Sequence, residues 1–478
     1  MSLDPPAYIL SLQNNIRARP ISWEGAVRAK TITDNDLKKI KSIDKVRKEQ
    51  RRQTIEGDTE SYVSLLLGGK DGQSIFQSAA KRPDIIQYML VLSGDLIDDI
   101  PSFASALTKH PEPYSPLLPL LKQSSNPEEP IPLLTSSVLS SLISSALMSS
   151  SKADKQLGEA LPQLYTYLSS LAKSTDAGLQ DIAVQEYSAV LRTSTSRLQF
   201  WKQRDETLTP LFDILRNASG SSRDTDSALW SGSSTIRSIS DGGIGGGVGL
   251  QLLYHVLLVI WQLSFEGASV GEGLHDEQDI VLLFTHLLRL SPKEKTTRLL
   301  LGTLLNLVSA SPSVLLPAAV LARLPTTLKT LSTRHLTDPD LLDDLKALQE
   351  KLDEYTATQT TFDEYAAELE TGHLRWSPPH KNPDFWRENA RRILDENKGE
   401  LIRKLAEIMS KPWEQDRQVL AIGCNDVSCL VKEVPERRSQ LEKAGLKGRV
   451  MELMANEDES VRWESLRAVG EFLRYQVA

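Results

Sequence analysis

One serine of the chain sits where a hydrolytic nucleophile could. Gly267-Ala268-Ser269-Val270-Gly271 matches G-x-S-x-G, in which a strand-to-helix turn presents the hydroxyl to a histidine and a carboxylate. That geometry needs a strand before the motif, but residues 250–265 read as a helix and no HGGG-type segment supplies oxyanion donors. Ser269 is therefore expected in a polar inter-helix loop, with serine hydrolysis a remote alternative. Asp98 and Asp99 form a carboxylate pair without metal-ligand spacing around it, which points to helix surface. Histidines 110, 255, 275, 286, 335, 373 and 380 form no H-E-x-x-H or similar set, so no metal site is expected. Cys424 and Cys429 fall on one helix as C-x4-C, where a mutual disulfide is geometrically unfavourable. Two sulfurs are also a poor metal site, and reduced thiols suit the cytosol.

Residues 242–249, GGIGGGVG, invite a phosphate-binding reading. The dinucleotide fingerprint needs glycines at i, i+2 and i+5. Counted from Gly243 the third place is Val248, and from Gly245 it is Leu250. The P-loop pattern is absent too, since Gly69-Lys70 is followed by Asp71. No catalytic residue, cofactor, metal or small-molecule substrate is expected.

What must these residues be mounted on? The chain has 478 residues, 40% of them apolar, and a net charge of −8. This suits a large buried core and argues against nucleic acid as a partner. The start, MSLDPPAYIL, lacks the basic-then-apolar order of a signal peptide. No uninterrupted apolar stretch reaches the roughly 20 residues a bilayer needs, so no direct membrane insertion is expected. Leu250–Phe265 is apolar all round except for a stripe of Gln251, His255 and Gln262. It reads as a helix enclosed by others, with His255 a satisfied core histidine and the glycine run an architectural lead-in.

Helical periodicity also marks Leu161–Leu171, Leu179–Leu191, Val281–Leu290 and Leu299–Val308. Segments starting at Asp176, Asp416 and Asp458 share an apolar residue or Cys at +3, +8, +11 and +15 and a small residue at +7. An aspartate there can cap a helix, and the small residue suits a close helix crossing. The last two copies lie 42 residues apart (458 − 416), within the spacing of HEAT or armadillo repeats. The expected fold is all-α, a right-handed α-solenoid of HEAT/armadillo-like repeats in two domains joined by a short hinge. The N-terminal domain spans 1–355, with flexible insertions near 122–155 and 219–247, and the C-terminal domain spans 356–478. Tyr355, Thr356 and Thr358 are the candidate hinge.

At the entry to the second domain, Thr361 with Glu364 makes a capping box and Gly372 ends the helix. Trp376-Ser-Pro-Pro is extended, and Asn382-Pro383 restarts a helix. Lys38–Arg52 carries eight Lys or Arg with Leu37, Ile40, Ile43 and Val46 every third residue, a solvated amphipathic face or a contact for an acidic protein. A nuclear-import adaptor would need Trp-x-x-x-Asn ladders. Trp201, Trp261 and Trp463 are followed by KQRD, QLSF and ESLR, and the other tryptophans fail likewise.

GGVGLQLLYHVLLVIWQLSF, KEKTTRLLLGTLLNLV, FDEYAAELETGHLRWSPPHKNPDFWRENARRI, LAIGCNDVSCLVKEVPE and DESVRWESLRAVGEFL together resemble the H-subunit family of the vacuolar-type proton-pumping ATPase (V-ATPase). The resemblance is fullest over residues 190–478. It implies a non-catalytic regulatory subunit, peripheral on the cytosolic face of the vacuolar or endosomal membrane. Implied partners are other subunits of the pump: the peripheral stalk, the catalytic sector, and the cytosolic domain of the large membrane-sector subunit. The implied role couples ATP hydrolysis to proton translocation and silences hydrolysis by a detached catalytic sector. A free-standing helical-repeat adaptor is the alternative. In Ser410–Asp416, between two expected helices, Lys411, Pro412, Trp413 and Glu414 are the candidate partner contacts. A tryptophan on a polar, proline-stiffened loop is either a binding anchor or packed on its own domain.

Overall fold

A computed structural model describes residues 6–69, 72–122, 126–148, 155–220, 249–291, 293–358, 360–372, 374–413 and 416–474. Regular structure among them is helical, with one isolated bridge between Gly69 and Gly72. The contacts divide into two compact units, residues 1–215 with 247–270, and 216–246 with 271–478.

In the first unit helices pack on those a few places along the chain. Pro83–Asp99 packs on Pro130–Met148, which packs on Ala177–Val190, which in turn receives Leu250–Ser264. Nearest-neighbour stacking of this kind defines a repeat array. The insertion expected near 122–155 is corrected over Pro130–Met148, which is a 19-residue helix with Leu133, Leu134, Leu139 and Ile143 buried. Serine content suggested flexibility, but Thr135 and Ser136 donate to the carbonyls of Ile131 and Leu133, so they need no water. This helix has a mean hydropathy of 1.6, enough by length and composition to cross a membrane, yet 67% of it is buried in the protein. The other expected insertion falls almost wholly outside the described residues.

Asp176 caps Ala177–Val190, accepting from the amides of Gly178 and Leu179 at 2.7 and 3.1 Å. Leu179, Ala183, Val184, Tyr187 and Leu191 of the repeat pattern are all buried. His255 is a satisfied core histidine, with Nδ1 2.5 Å from Asp181 Oδ1. Gln262 donates to the carbonyl of Ser188, so its side of the polar stripe faces the same neighbour. The basic stretch is two helices, Asp34–Ile43 and Lys48–Gly57, separated near Lys45 at a φ of 53°. Its charges are not all solvated: Arg51 is largely buried 3.7 Å from Asp99, while Lys48, 2.7 Å from the same carboxylate, stays exposed.

The loop expected around Ser269 is also corrected: Gly267–Gln278 is helical, and Ser269 N–H bonds the carbonyl of Glu266 in its first turn. An elbow needs a strand on the N-terminal side, whereas Leu250–Ser264 is helix. Further on, the capping box is made by Thr360 and Asp363, one residue earlier than expected. Gly372 ends that helix in the left-handed region at a φ of 75°.

The second repeat copy shows why +7 is small. A Cβ on Gly423 would stand 2.8 Å from Met409 Cγ on the Glu400–Ser410 helix. We expect Gly423→Leu to cost about 1–3 kcal/mol by overpacking. Gly423→Ala should fall within about 1 kcal/mol of the parent, since Met409 can swing aside and alanine favours helix. Thermal denaturation of both variants checks this. In the third copy Val461 and Ser465 are buried, but Leu466 and Leu473 are exposed. No described helix covers that face of Glu459–Arg474, so the pattern fails there.

Candidate interaction site

The C-terminal repeats are organised around a buried elbow. Residues 374–377 are non-helical, Pro378–Lys381 forms one turn, and Asn382 accepts from Asp384 N–H to start Pro383–Asp395. Proline at 378 and 379 stiffens the approach. The elbow carries His380 into the core, where its side chain is wholly buried. Nε2 lies 2.9 Å from Glu368 Oε2 and Nδ1 lies 2.7 Å from Asp426 Oδ1. With a carboxyl group at each ring nitrogen, the imidazolium can donate to both. Burial alone disfavours that charge, but Asp426 and Glu368 outweigh it and hold the His380 pKa up at about 10.

The network is larger than a triad. Arg375 Nε lies 3.7 Å from Glu368 Oε1, adding a second cation. Asn425 donates to the carbonyl of His380 at 3.0 Å and receives Arg467 at 2.8 Å. Tyr365 packs on His380 and on Trp386, with centroids 5.5 and 5.3 Å away. Helices Thr361–Thr371 and Gln418–Glu433 are thereby tied to the elbow. Glu368, His380 and Asp426 have no solvent-facing surface, so the arrangement holds shape.

This network positions the helix that follows the Ser410–Asp416 loop. Lys411 and Pro412 are exposed, and Glu414 lies outside the described residues. Trp413 is half-buried against the core, and its indole donates to the carbonyl of Ile408 at 2.7 Å. Its φ of 48° is left-handed, a conformation that costs energy for a bulky residue. Asp416 then re-enters the fold, its carboxyl pushed up to about 6 by burial. One side of the indole is committed to its own domain, while its loop neighbours meet solvent.

The structure places the candidate hinge residues at a helix end. Tyr355 and Thr356 belong to Pro339–Thr358, which Thr358 ends, and Thr356 donates back to the carbonyl of Leu352. The helical run breaks before the Thr360 cap. Tyr355 and Thr356 line a cleft of about 260 Å³ with Pro317, Val320 and Glu364. Nearby, the Arg375 guanidinium donates to the carbonyl of Leu321. The segment after the break is thus tied to the helices before it.

A family model described as the V-ATPase H subunit matches residues 7–352, and a second of the same description matches 358–476. The chain belongs to the V-ATPase H-subunit family. Among relatives in that family, the V-type proton ATPase H subunit of Drosophila melanogaster is 26% identical over 465 residues, 95% of this chain and 87% of that protein. The Dictyostelium discoideum H subunit is 25% identical, covering 87% of this chain and 84% of its own. A probable H subunit of Caenorhabditis elegans reaches 31% identity over 46% of this chain and 49% of that one, so the match spans about half of each. Among solved structures, a designed armadillo repeat protein aligns over 64% of this chain and 99% of its own, at 12% identity and a TM-score of 0.28.

The His380 network and the Arg375 tie were not anticipated from the sequence. Glu368 and Asp426 lie 12 and 46 positions from His380, and neither spacing is a motif. The available signal was a histidine following two prolines within an aromatic elbow.

Proposed function

We propose that this chain is the non-catalytic regulatory subunit of a V-type proton ATPase. In this reading it couples ATP hydrolysis in the catalytic sector to proton translocation in the membrane sector. It also inhibits hydrolysis once the catalytic sector detaches. The observation that carries the reading is family membership across both halves of the chain. The protein works at the cytosolic face of the vacuolar or endosomal membrane, with the peripheral stalk, the catalytic sector and the large membrane-sector subunit as partners. The working division is 1–355 and 356–478.

Inhibition of this kind needs no chemistry from the inhibiting chain. It needs a surface that binds one rotary state more tightly than the others, because only differential affinity shifts an equilibrium. Lys411, Pro412, Trp413 and Glu414 are the proposed contact, presented on a loop whose base is fixed by Ile408 and Asp416. Tyr355, Thr356 and Thr358 are the proposed hinge. Rotation there would break the hydrogen bond from Arg375 to the Leu321 carbonyl.

The test is Mg-ATP hydrolysis by detached catalytic sector lacking this chain, before and after the purified chain is added. Most of the hydrolysis is expected to disappear. Trp413→Ala should then require roughly tenfold more chain for the same inhibition, the size of a modest hot-spot loss. Unchanged hydrolysis at saturating chain would reduce the protein to a tether.

A further inference from the structure

The cleft of about 260 Å³ beside the helix break has walls from three helices, all within the second unit. Pro317, Val320 and Leu321 come from Pro312–Leu321, and Tyr355 from the end of Pro339–Thr358. Glu364 and Ala367 come from Thr361–Thr371, three positions apart and therefore on one face of it. Phe362, Tyr365 and Leu369 of the same helix are buried in the core, so its cleft-facing side is a separate surface. Pro317, Val320 and Ala367 are half-buried, which leaves apolar surface open in the cleft.

The charge in this lining has one sign. It holds two carboxylates, Asp363 and Glu364, and no basic residue. Asp363 is occupied in the helix cap, accepting from the Thr360 amide and hydroxyl at 2.9 and 2.7 Å. Among the described residues, the Glu364 carboxylate accepts no hydrogen bond and meets no cation within ion-pair distance. Burial and the neighbouring Glu368 raise its pKa, while Arg375 and His380 act in the other direction. Those two cations are already bonded to Glu368, the Leu321 carbonyl and Asp426. A half-buried carboxylate so placed is stabilised by a cation supplied from outside.

We propose that the cleft is a binding site for a small organic monocation, a protonated amine carried on an apolar body. The ammonium pairs with Glu364, and the body lies against Pro317, Val320 and Ala367. A cavity of about 150 Å³ takes one benzene ring, so this one accommodates a ring with a short ammonium arm. An anion would meet two carboxylates there and no donor of opposite charge. The occupant touches Pro312–Leu321, before the helix break, and Thr361–Thr371, after it. Binding stands on the cleft alone; any restraint of movement at the break rests on the hinge proposed above.

The test titrates phenethylammonium into the full chain by calorimetry near neutral pH, with phenethyl alcohol as its neutral counterpart. The ammonium should bind saturably with a Kd of about 1 mM or tighter, and the alcohol at least about fivefold more weakly. Glu364→Gln should weaken the ammonium by the same factor and leave the alcohol unchanged, a split that a loss of fold would not produce. Val320→Trp, which fills the cleft, should abolish both while far-ultraviolet circular dichroism stays that of the parent. Absence of saturable binding to the parent would overturn the proposal. Equal affinity for the two probes, or no effect of Glu364→Gln, would overturn the choice of a cation. Binding that survives Val320→Trp in a folded chain would overturn the site.

Discussion

Replacing His380 with leucine is expected to destabilise the C-terminal repeats by about 3–5 kcal/mol, the usual cost of removing one partner from a buried ion pair. The loss arises because Glu368 and Asp426 would remain in the core, facing each other across the site of the missing cation. Adding Glu368→Gln and Asp426→Asn should recover much of it, since neutral amides no longer need that charge. The pH dependence separates charge from shape. The folded pKa of His380, about 10, stands above its ordinary value of 6.5. Its contribution is therefore fully present below about 6.5 and lost as pH rises through about 10. Urea midpoints of parent and leucine variant, followed by far-ultraviolet circular dichroism, should differ most near pH 6 and converge towards pH 10. A gap that is constant across that range would mean His380 acts by packing alone.

Glu186→Gln should do the opposite at alkaline pH. This carboxyl lines a groove of about 1520 Å³ in the first unit, accepts from Ser140 at 3.1 Å, and burial pushes its pKa up to about 8. The folded state favours the protonated acid, so its contribution is intact below about 4.5 and drains away as pH rises to about 8. Near pH 9 the parent buries a carboxylate, and glutamine should be more stable by about 2–4 kcal/mol. Near pH 5 the two should be close to equal, because the acid and the amide are both neutral there. Calorimetric melting at the two pH values checks this. A glutamine variant less stable at both would show that the charged form is the one the fold needs.

Features set by local sequence could be read in advance. The Leu250–Ser264 core helix, the Asp176 cap and the Asn382-Pro383 restart each follow from residues within one or two turns. The capping box was legible only to within a residue, because Thr360 with Asp363 and Thr361 with Glu364 both satisfy the pattern. Exposure of Leu466 and Leu473 was not legible at all. An apolar residue on a repeat helix looks the same whether or not another helix covers it. His380 was missed for a related reason: its partners come from two other helices, and pairing across repeats leaves no periodic trace. Ser269 shows the converse, a chemical motif emptied of meaning by the helix it occupies. The contact loop and the hinge are proposals read from local composition, which carries no periodic pattern to anchor them.

The Pro130–Met148 helix has a consequence for how the chain is made. As it leaves the ribosome it is long and apolar enough to resemble a membrane-targeting segment. Translation runs from the N-terminus, so Pro83–Asp99 and Pro101–Thr108, both of which pack on it, have already emerged. Half of its covering is therefore in place before the segment is complete, and Ala177–Val190 follows within about 40 residues to close the other side. The order of synthesis thus brings the covering helices out on both sides of a segment that is, by length and composition, apolar enough to cross a membrane.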